Sequence, residues 1–369
     1  MSAPQEFRNI QALRGLAACM VLVFHSTQIW SELVGKAINT LAWRNGGAGV
    51  DIFFVISGFV MTVSSIGKES AHPARNFLER RLIRIVPLYW IITTVALVKV
   101  VAQARPEIVA AGRHATTSLA FVVSSYLFIP IRNVYGESLP LLPVGWTLNF
   151  EMFFYLLFAL ALALRLNVVR FLVPMLVVLA AVGMVRHSSW PTITGLASPL
   201  LLEFLAGVLL GYAVFKGFRL DWRVSLALGV AGLAALVTVP AYELQIMRVL
   251  AWGVPAVLVV QCGVMLEERF GRSMPRWALL LGDASYSIYL FHLLVLAVVA
   301  QGLKRLHILN IGVVRRRDEA VTILICSIVS IFASLLLYWW VEDPLNRGLR
   351  RRLRLRQDKR AARSIKNEL

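Results

Sequence analysis

The sequence predicts an all-α polytopic membrane protein with about ten transmembrane helices and one short re-entrant or interfacial segment. Of its 369 residues, 58% are hydrophobic, and they fall in blocks of about twenty, the length that an α-helix needs to cross ~30 Å of hydrocarbon. Lysine and arginine residues collect between these blocks, as topology signals do. No separate soluble domain is evident between the blocks.

The hydrophobic blocks define the candidate spans in order along the chain. They are Ile10–Trp30, Ala48–Ile66, Ile85–Ala104, Trp146–Leu164, Val168–Val185, Thr194–Phe215, Val224–Ala241, Ile246–Leu266, Trp277–Gln301 and Glu319–Val341. The apolar run Ser118–Pro130 is too short for a crossing and suits a re-entrant or interfacial segment. The first block lacks a small-residue cleavage site, so we expect a retained helix and no signal peptide there.

The positive-inside rule orients the ten spans with both termini in the cytoplasm. The net charge of +18 then reflects topology, and nucleic acid is not expected as a partner. One loop, with Lys304, Arg305 and residues 315–317, opposes the rule and falls outside. We therefore expect a transmembrane domain over residues 1–346 and a basic cytoplasmic tail over residues 347–369.

The three cysteines, Cys19, Cys262 and Cys326, each lie inside a hydrophobic block. This distribution provides neither a disulfide framework nor a CxxC metal site. We expect these cysteines to be packing residues, and the sequence predicts no metal centre.

Ionisable residues inside the predicted helices are the first functional signal, because each costs on the order of 2.5–3.5 kcal/mol to insert. Arg14 and His25 share the first helix. Eleven residues at about 100° each bring them back to one face, about 16 Å apart. Arg14 is expected in the inner leaflet and His25 in the outer half of the membrane.

Three carboxylates and a second histidine are predicted near the depth of His25. Asp51 and Glu151 lie near the outer ends of their helices, and Tyr155 follows Glu151 by one turn on the same face. Glu203 precedes Gly207 and Gly211 at spacings of four, a stripe that permits close helix packing. In the ninth span, spacings of four and three place on one face the residues Ser285, Tyr289 and His292.

Each of these residues also has a structural interpretation. A single helical histidine is more often a hydrogen-bonded packing residue, and Asp51 or Glu203 can simply tie two helices together. The basic residues Arg80, Arg81 and Arg84 suit positive-inside anchors equally well.

Five motifs in order carry a family resemblance: FRNIQALRGLAACMVLVFH, GGAGVDIFFVISGFVM, FLERRLIRIVPLYW, GWTLNFEMFFYLLF and LGDASYSIYLFHLLV. They resemble the membrane-bound acyltransferase family 3, and within it the exopolysaccharide acetyltransferases of the succinoglycan type. The resemblance implies a bacterial inner-membrane enzyme that moves an acyl group, usually acetyl from cytoplasmic acetyl-CoA, to a carbohydrate hydroxyl. It also implies membrane lipid and polysaccharide-assembly proteins as partners.

The resemblance assigns roles by position. The first-helix histidine and arginine of the family correspond to His25 and Arg14, its paired arginines to Arg81 and Arg84, and its fourth-span glutamate to Glu151. Histidine, with a reference pKa near ~6.5, suits a base for a sugar hydroxyl, so His25 is the predicted base.

Asp51 or Glu151 is expected to orient the imidazole, as the third member of hydrolytic triads does. Arginine forks suit the phosphates of coenzyme A, so Arg81 and Arg84, with Arg14, are the predicted donor-binding residues. The further pocket candidates are Glu203, Ser285, Tyr289 and His292.

Several alternatives remain open at this level. An acyl-histidine relay through His25 competes with direct transfer. A transporter or flippase for a lipid-linked saccharide would also place charges inside the membrane, although the two halves show no inverted repeat. A structural subunit of an export complex would leave those charges unexplained. The sugar acceptor, the identity of the short acyl group and the oligomeric state have no readable code.

Overall fold

The computed structural model describes residues 7–34, 44–67, 72–103, 118–133, 136–187, 189–240, 245–305 and 316–368, and within them every regular element is helical. The helices are α1 (Arg8–Val34), α2 (Gly49–Ser65), α3 (Pro73–Gln103), α4 (Leu119–Tyr126), α5 (Trp146–Ala163), α6 (Val168–Val185), α7 (Leu201–Phe215), α8 (Trp222–Thr238), α9 (Gln245–Met265), α10 (Glu267–Phe270), α11 (Arg276–Asp283), α12 (Ser285–Arg305), α13 (Arg316–Leu337) and α14 (Asp343–Glu368).

The predicted all-α polytopic membrane fold is confirmed. Eight helices among the described residues are long and apolar enough to cross a membrane, and α7 and α8 are shorter apolar helices. Each of these ten helices overlaps one of the ten predicted blocks. The run Ser118–Pro130 forms only the eight-residue α4, capped by the Ser118 hydroxyl and held to α3 by a 2.8 Å hydrogen bond from Tyr89 to the Ser125 carbonyl.

Three predicted boundaries need correction. The sixth span does not begin at Thr194, since Thr192–Leu196 forms a separate 3-10 helix and α7 begins at Leu201. The third span begins at Pro73, twelve residues before Ile85, because the basic stretch between them is helical as well. The ninth span does not begin at Trp277, since the separate short helix α11 ends at Asp283 and α12 begins at Ser285. At this break Gly282 lies against the backbone of Gln11, where a side chain would collide.

Some predictions concern residues that are not described, or only in part. The basic loop from Lys304 to Arg317 lies mostly outside the described residues. The predicted boundary between residues 346 and 347 falls within α14, which follows a π-helical turn at Tyr338–Glu342. The cytoplasmic position of residues 347–369 stays a prediction.

Helices α2 and α7 form a close contact through glycine. A Cβ at Gly58 would collide with the Phe204 carbonyl, and one at Gly207 with the Val55 carbonyl. The predicted role of the Gly207 and Gly211 stripe in close packing is confirmed. Because the backbones touch, the remaining face of α2 is directed toward α1, α3, α5 and α12, where the polar residues lie.

One end of the bundle gathers several helix termini, and we call it the arginine end, after Arg14, Arg81 and Arg84. Here α1 begins, with the backbone N–H groups of Arg8 and Asn9 donating to the Glu267 carboxylate at 2.8 Å each. A carboxylate at a helix N-terminus satisfies free donors and complements the helix dipole. Glu267 therefore fixes the start of the helix that carries Arg14 and His25.

Candidate active site

A cavity of about 960 Å³ follows α2 from Val50 to Ile66. Sixteen residue steps along a helix correspond to about 24 Å, most of the thickness of a bilayer core. Its walls come from helices that are distant in sequence, and polar residues line it along its length: Gln11, Arg14, Ser57, Ser64, Arg81, Arg84, Thr147, Glu151, Tyr155, Ser285, Tyr286 and Tyr289. The cavity therefore connects the arginine end with the opposite half of the bundle.

The three predicted donor-binding arginines line the same cavity. Arg14 donates from Nη2 to the Ser285 hydroxyl at 2.9 Å and from Nη1 to the Gln11 side chain at 3.0 Å. Arg81 donates from Nη2 to the Ser64 hydroxyl at 2.9 Å. Arg84 lies close enough to Arg14 for their charges to act on each other. Neutral hydrogen-bond partners orient Arg14 and Arg81 without cancelling their charge, which suits an anionic ligand.

Glu151 lies midway along the cavity. Its Oε1 accepts hydrogen bonds from the Ser57 hydroxyl at 2.9 Å and from the Tyr155 hydroxyl at 2.5 Å. The predicted placement of Tyr155 beside Glu151 is confirmed. The charge of Glu151 acts on Arg14 and Arg81, and that of Glu342 acts on Arg14, so these carboxylates offset only part of the positive charge of the three arginines.

The two predicted histidines meet in the opposite half. His292 Nε2 lies 3.1 Å from His25 Nδ1, and the two ring centroids are 4.9 Å apart. His25 Nδ1 also lies 3.0 Å from the Val21 carbonyl, and His292 Nδ1 lies 3.0 Å from the Ile288 carbonyl. His292 is completely buried and His25 is partly exposed.

These partners assign the tautomers of a neutral histidine pair. A carbonyl oxygen can only accept, so His292 carries its hydrogen on Nδ1 and offers the Nε2 lone pair to His25. The Nδ1–H of His25 then donates to His292 and to Val21. The lone pair on His25 Nε2 remains available, as a general base requires.

Tyr289 connects the histidine pair to the cavity. It lines the cavity, its ring lies 6.2 Å from that of His292, and its hydroxyl lies 2.7 Å from Thr147 Oγ1. His25 and His292 are not among the described lining residues and lie just beyond Tyr289. The contacts agree with the predicted common face of the ninth span. Ser285 accepts a hydrogen bond from Arg14, Tyr289 lines the cavity, and His292 lies within hydrogen-bond distance of His25.

Neither carboxylate expected to orient His25 is hydrogen-bonded to it among the described residues. Asp51 is fully buried and pairs with Arg248, at 2.9 Å from Oδ2 to Nη2 and 3.3 Å from Oδ1 to Nε. Glu203, exposed by only 1%, lies close enough to Asp51 and Arg248 for their charges to act on it. Glu203 therefore belongs to this ion-pair cluster and does not line the cavity.

Sequence reasoning missed Arg248, although a signal was present. Arg248 is the only charged residue in the predicted block Ile246–Leu266, and an isolated intramembrane charge implies a partner. It precedes a π-helical turn, Val249–Gly253, within α9. Such turns recur at functional sites. A second missed contact is the 2.6 Å hydrogen bond from the Ser287 hydroxyl to Glu342, beside the arginine end.

The described residues contain no group of three histidine, cysteine or acidic side chains placed to hold a metal ion. The polar groups that the described residues bring together are a guanidinium cluster at one end and a histidine pair toward the other. A polar cavity lies between them.

This combination defines a multi-pass membrane acyltransferase. Residues 7–339 match the family model described as an acyltransferase domain, Acyl_transf_3, and the chain belongs to this family. Its sequence is 37% identical over 318 residues to the exopolysaccharide production protein ExoZ of Rhizobium meliloti, covering 84% of this chain and 92% of ExoZ.

Two further relatives extend the comparison. The membrane-bound transacylase BcsY of Komagataeibacter xylinus is 30% identical over 306 residues, 77% of this chain and 72% of BcsY. The O-acetyltransferase OatA of Staphylococcus aureus is 25% identical over 328 residues, 81% of this chain and 52% of OatA. No solved structure shows significant similarity to the chain.

Proposed function

We propose that the chain transfers an acyl group, acetyl in the simplest case, from cytoplasmic acyl-CoA to a sugar hydroxyl. The acceptor is a cell-surface polysaccharide or exopolysaccharide, or its lipid-linked precursor. One observation carries this proposal: a single cavity joins three arginines to the neighbourhood of a histidine pair. The names of ExoZ and OatA, an exopolysaccharide production protein and an O-acetyltransferase, agree with this choice of acceptor and group.

The arginine end binds the donor in this proposal. Coenzyme A carries several phosphate charges, and the planar guanidinium group offers paired donors to phosphate oxygens. Arg81 and Arg84 hold the phosphates at the mouth, and Arg14 lies deeper, on the side of Ser285. The pantetheine arm then follows the cavity along α2 and brings the thioester toward Tyr289 and the histidines.

His25 is the general base. Its Nε2 takes the proton of the sugar hydroxyl while that oxygen attacks the thioester carbonyl carbon and the C–S bond breaks. The proton then passes from the imidazolium to the departing thiolate, so the products are the ester and free coenzyme A. His292 is a positioning residue, because its Nε2 accepts from Nδ1 of His25 and directs the opposite nitrogen toward the substrate.

Glu151 acts as the counter-charge of the arginine end. Without a bound donor, Arg84 would repel both Arg14 and Arg81 in a site of low dielectric constant. The Glu151 carboxylate, held by Ser57 and Tyr155, reduces this repulsion and leaves the remaining N–H groups of the arginines free for phosphate.

The proposal places the arginine end at the cytoplasmic face of the bacterial inner membrane. The start of α1 and the basic start of α3 lie at this end, and positive charge favours the cytoplasmic side. Both chain termini are then cytoplasmic, and the Asp51–Arg248 pair lies in the outer half of the bundle.

The test is transfer of radiolabelled acetyl from acetyl-CoA by the purified protein in lipid nanodiscs. The acceptor is the host cell's exopolysaccharide, freed of O-acyl groups by mild alkali. We expect alkali-labile label on the saccharide together with an equal amount of free thiol. Label that crosses a vesicle membrane with no thiol release would contradict the proposal and indicate a transporter.

A single turnover without acceptor separates the two catalytic routes. Label that becomes attached to the protein and depends on His25 indicates an acyl-histidine intermediate. Direct transfer leaves the protein unlabelled.

A further inference from the structure

Arg248 is held in one orientation by a buried carboxylate. Two of its nitrogens bond to the two oxygens of Asp51, and Asp51 has no exposed surface, whereas the Arg248 side chain is 22% exposed. A bidentate pair of this kind fixes the plane of the guanidinium group. Arg248 is therefore a preorganised group at the edge of the bundle.

Two indole rings enclose the same guanidinium. Its central carbon lies 5.2 Å from the ring centroid of Trp252 and 6.0 Å from that of Trp146. Trp252 is buried, whereas Trp146 is partly exposed. Stacking on aromatic faces and bidentate pairing together prevent the side chain from turning away.

The third nitrogen of Arg248 remains for a ligand. Nη1 has no hydrogen-bond partner among the described residues, and it is not one of their buried unpartnered atoms. Its two N–H groups point away from Asp51 because the other two nitrogens face the carboxylate. Beside them lies the partly exposed face of Trp146.

This group lies on the same side as the histidine pair. Trp146 begins α5 and is followed by Thr147, whose hydroxyl meets that of Tyr289. Tyr289 in turn contacts His292, which meets His25. A ligand on Trp146 is therefore adjacent to the residues that lead to the base.

The charges around Arg248 favour an uncharged ligand. Asp51 already balances the guanidinium, and Glu203 lies beside both. This is the reverse of Arg14 and Arg81, whose hydrogen-bond partners Gln11, Ser285 and Ser64 are neutral. Two free N–H donors beside an aromatic face suit the oxygens and the C–H face of a pyranose ring, because the ring quadrupole attracts weakly positive hydrogens.

We propose that Arg248 and Trp146 form the acceptor subsite and hold a neutral pyranose ring of the saccharide next to the histidine pair. This proposal depends on the proposed function for its biological meaning. Asp51 is then a positioning residue that acts through Arg248, in place of the predicted partnership with His25.

The test is direct binding without acyl-CoA, measured by saturation-transfer NMR on the full chain in nanodiscs. The probes are methyl β-D-glucopyranoside and the equivalent glucuronide, which differ in charge but share the ring. We expect the neutral glycoside to bind more tightly. Trp146→Ala should weaken its binding at least fivefold, while the exposed Trp190→Ala should not.

Asp51→Asn is the most informative variant, because it removes the negative charge that balances the guanidinium group of Arg248. We expect the preference to shift toward the glucuronide by several fold. Since an altered buried pair can prevent folding, the double variant Asp51→Asn with Arg248→Gln is the companion, and it should bind neither glycoside well. Size-exclusion profiles identify folded variants, and Trp146→Phe keeps a ring if the alanine variant fails.

Three results would overturn the proposal: no binding of either glycoside, a wild-type preference for the glucuronide, or equal binding by the Trp146 and Trp190 variants. Failure of the proposed function is distinguishable, since acetyl transfer would then be absent while glycoside binding persists. If transfer occurs, Arg248→Lys should raise the KM for acceptor about tenfold without changing that for acetyl-CoA. Arg75→Lys, in the exposed pair with Glu79, is the matched control.

Discussion

The two ends of the cavity handle charge in opposite ways. At the arginine end, Arg14 and Arg81 bond to neutral groups, the hydroxyls of Ser285 and Ser64 among them, so their charges remain available. In the other half, Asp51 already neutralises Arg248 and a histidine bonds to His25. One end can therefore attract a highly charged donor, and the other can move a proton among groups of little net charge.

The difference supports the proposal that one protein serves two unlike substrates. A multiply charged ligand needs uncompensated cations, whereas a base needs a free lone pair and a low local charge. Arg14 and His25 are eleven residues apart on α1, which corresponds to about 16 Å, and this separation lets each requirement be met without disturbing the other.

The largest expected effect comes from removing the base. His25→Ala should lower kcat for acetyl transfer by roughly 10²–10⁴-fold and leave the KM for acetyl-CoA nearly unchanged, because the proposed phosphate site is at the other end of the cavity. Steady-state kinetics with labelled acetyl-CoA measures both. His187→Ala, an exposed histidine that bonds to Ser189, is the control. Retained activity in His25→Ala would remove the base from the proposal.

The second largest effect is expected from variants at the arginine end. Arg81→Ala or Arg84→Ala should raise the KM for acetyl-CoA by roughly 10- to 100-fold, since a charge-assisted hydrogen bond contributes about 1.5–3 kcal/mol, with little change in kcat. With S-acetyl-pantetheine, which lacks the phosphates, the penalty should disappear. Arg80→Ala provides a control from the same turn of α3, as Arg80 is exposed and does not line the cavity. An equal penalty with both donors would contradict phosphate binding.

A smaller effect is expected at the positioning histidine. His292→Ala should lower kcat about tenfold, by analogy with the loss of partners that orient other functional histidines. His292→Gln should restore part of the rate, because its amide oxygen can accept from the Nδ1–H of His25. A merely structural role predicts equal defects in folding for both variants and no rescue, which thermal unfolding and kcat together would show.

The smallest effect belongs to Ser64. Ser64→Ala removes one neutral hydrogen bond to Arg81, and about 0.5–1.5 kcal/mol corresponds to a two- to tenfold rise in the KM for acetyl-CoA. Ser57→Ala, which affects Glu151, should act on the same parameter. An effect of Ser64→Ala on the acceptor KM instead would show that the two ends are not separate.

Much of the fold was predictable because the bilayer limits the choices. Hydrophobic length located all ten apolar helices of the described part of the chain, and the thirteen-residue run Ser118–Pro130 was correctly predicted to be too short for a crossing. Helix ends were harder, because the basic residues from Pro73 to Arg84 form helix as readily as apolar ones. The break before Ser285 depends on the contact of Gly282 with α1, which periodicity does not reveal.

The sequence predicted which helix face carries the candidate site residues, but not which side chains pair across helices. Spacing placed Ser285, Tyr289 and His292 on one side of a helix, and their contacts agree. Sequence gives no information on which face of one helix meets which face of another, so Asp51 was expected beside His25 and instead pairs with Arg248. That partner is 197 positions away.

The carboxylate cap on α1 has a consequence for both the arginine end and the histidine pair. Glu267 anchors the first turn, and one continuous helix then carries both Arg14, the proposed donor-binding arginine, and His25, the proposed base. A slip of one turn, about 5.4 Å, would separate Arg14 from Ser285 and His25 from His292 at once. The arginine end and the histidine pair are thus linked through α1, and a variant that loosens this anchor should impair donor binding and catalysis together.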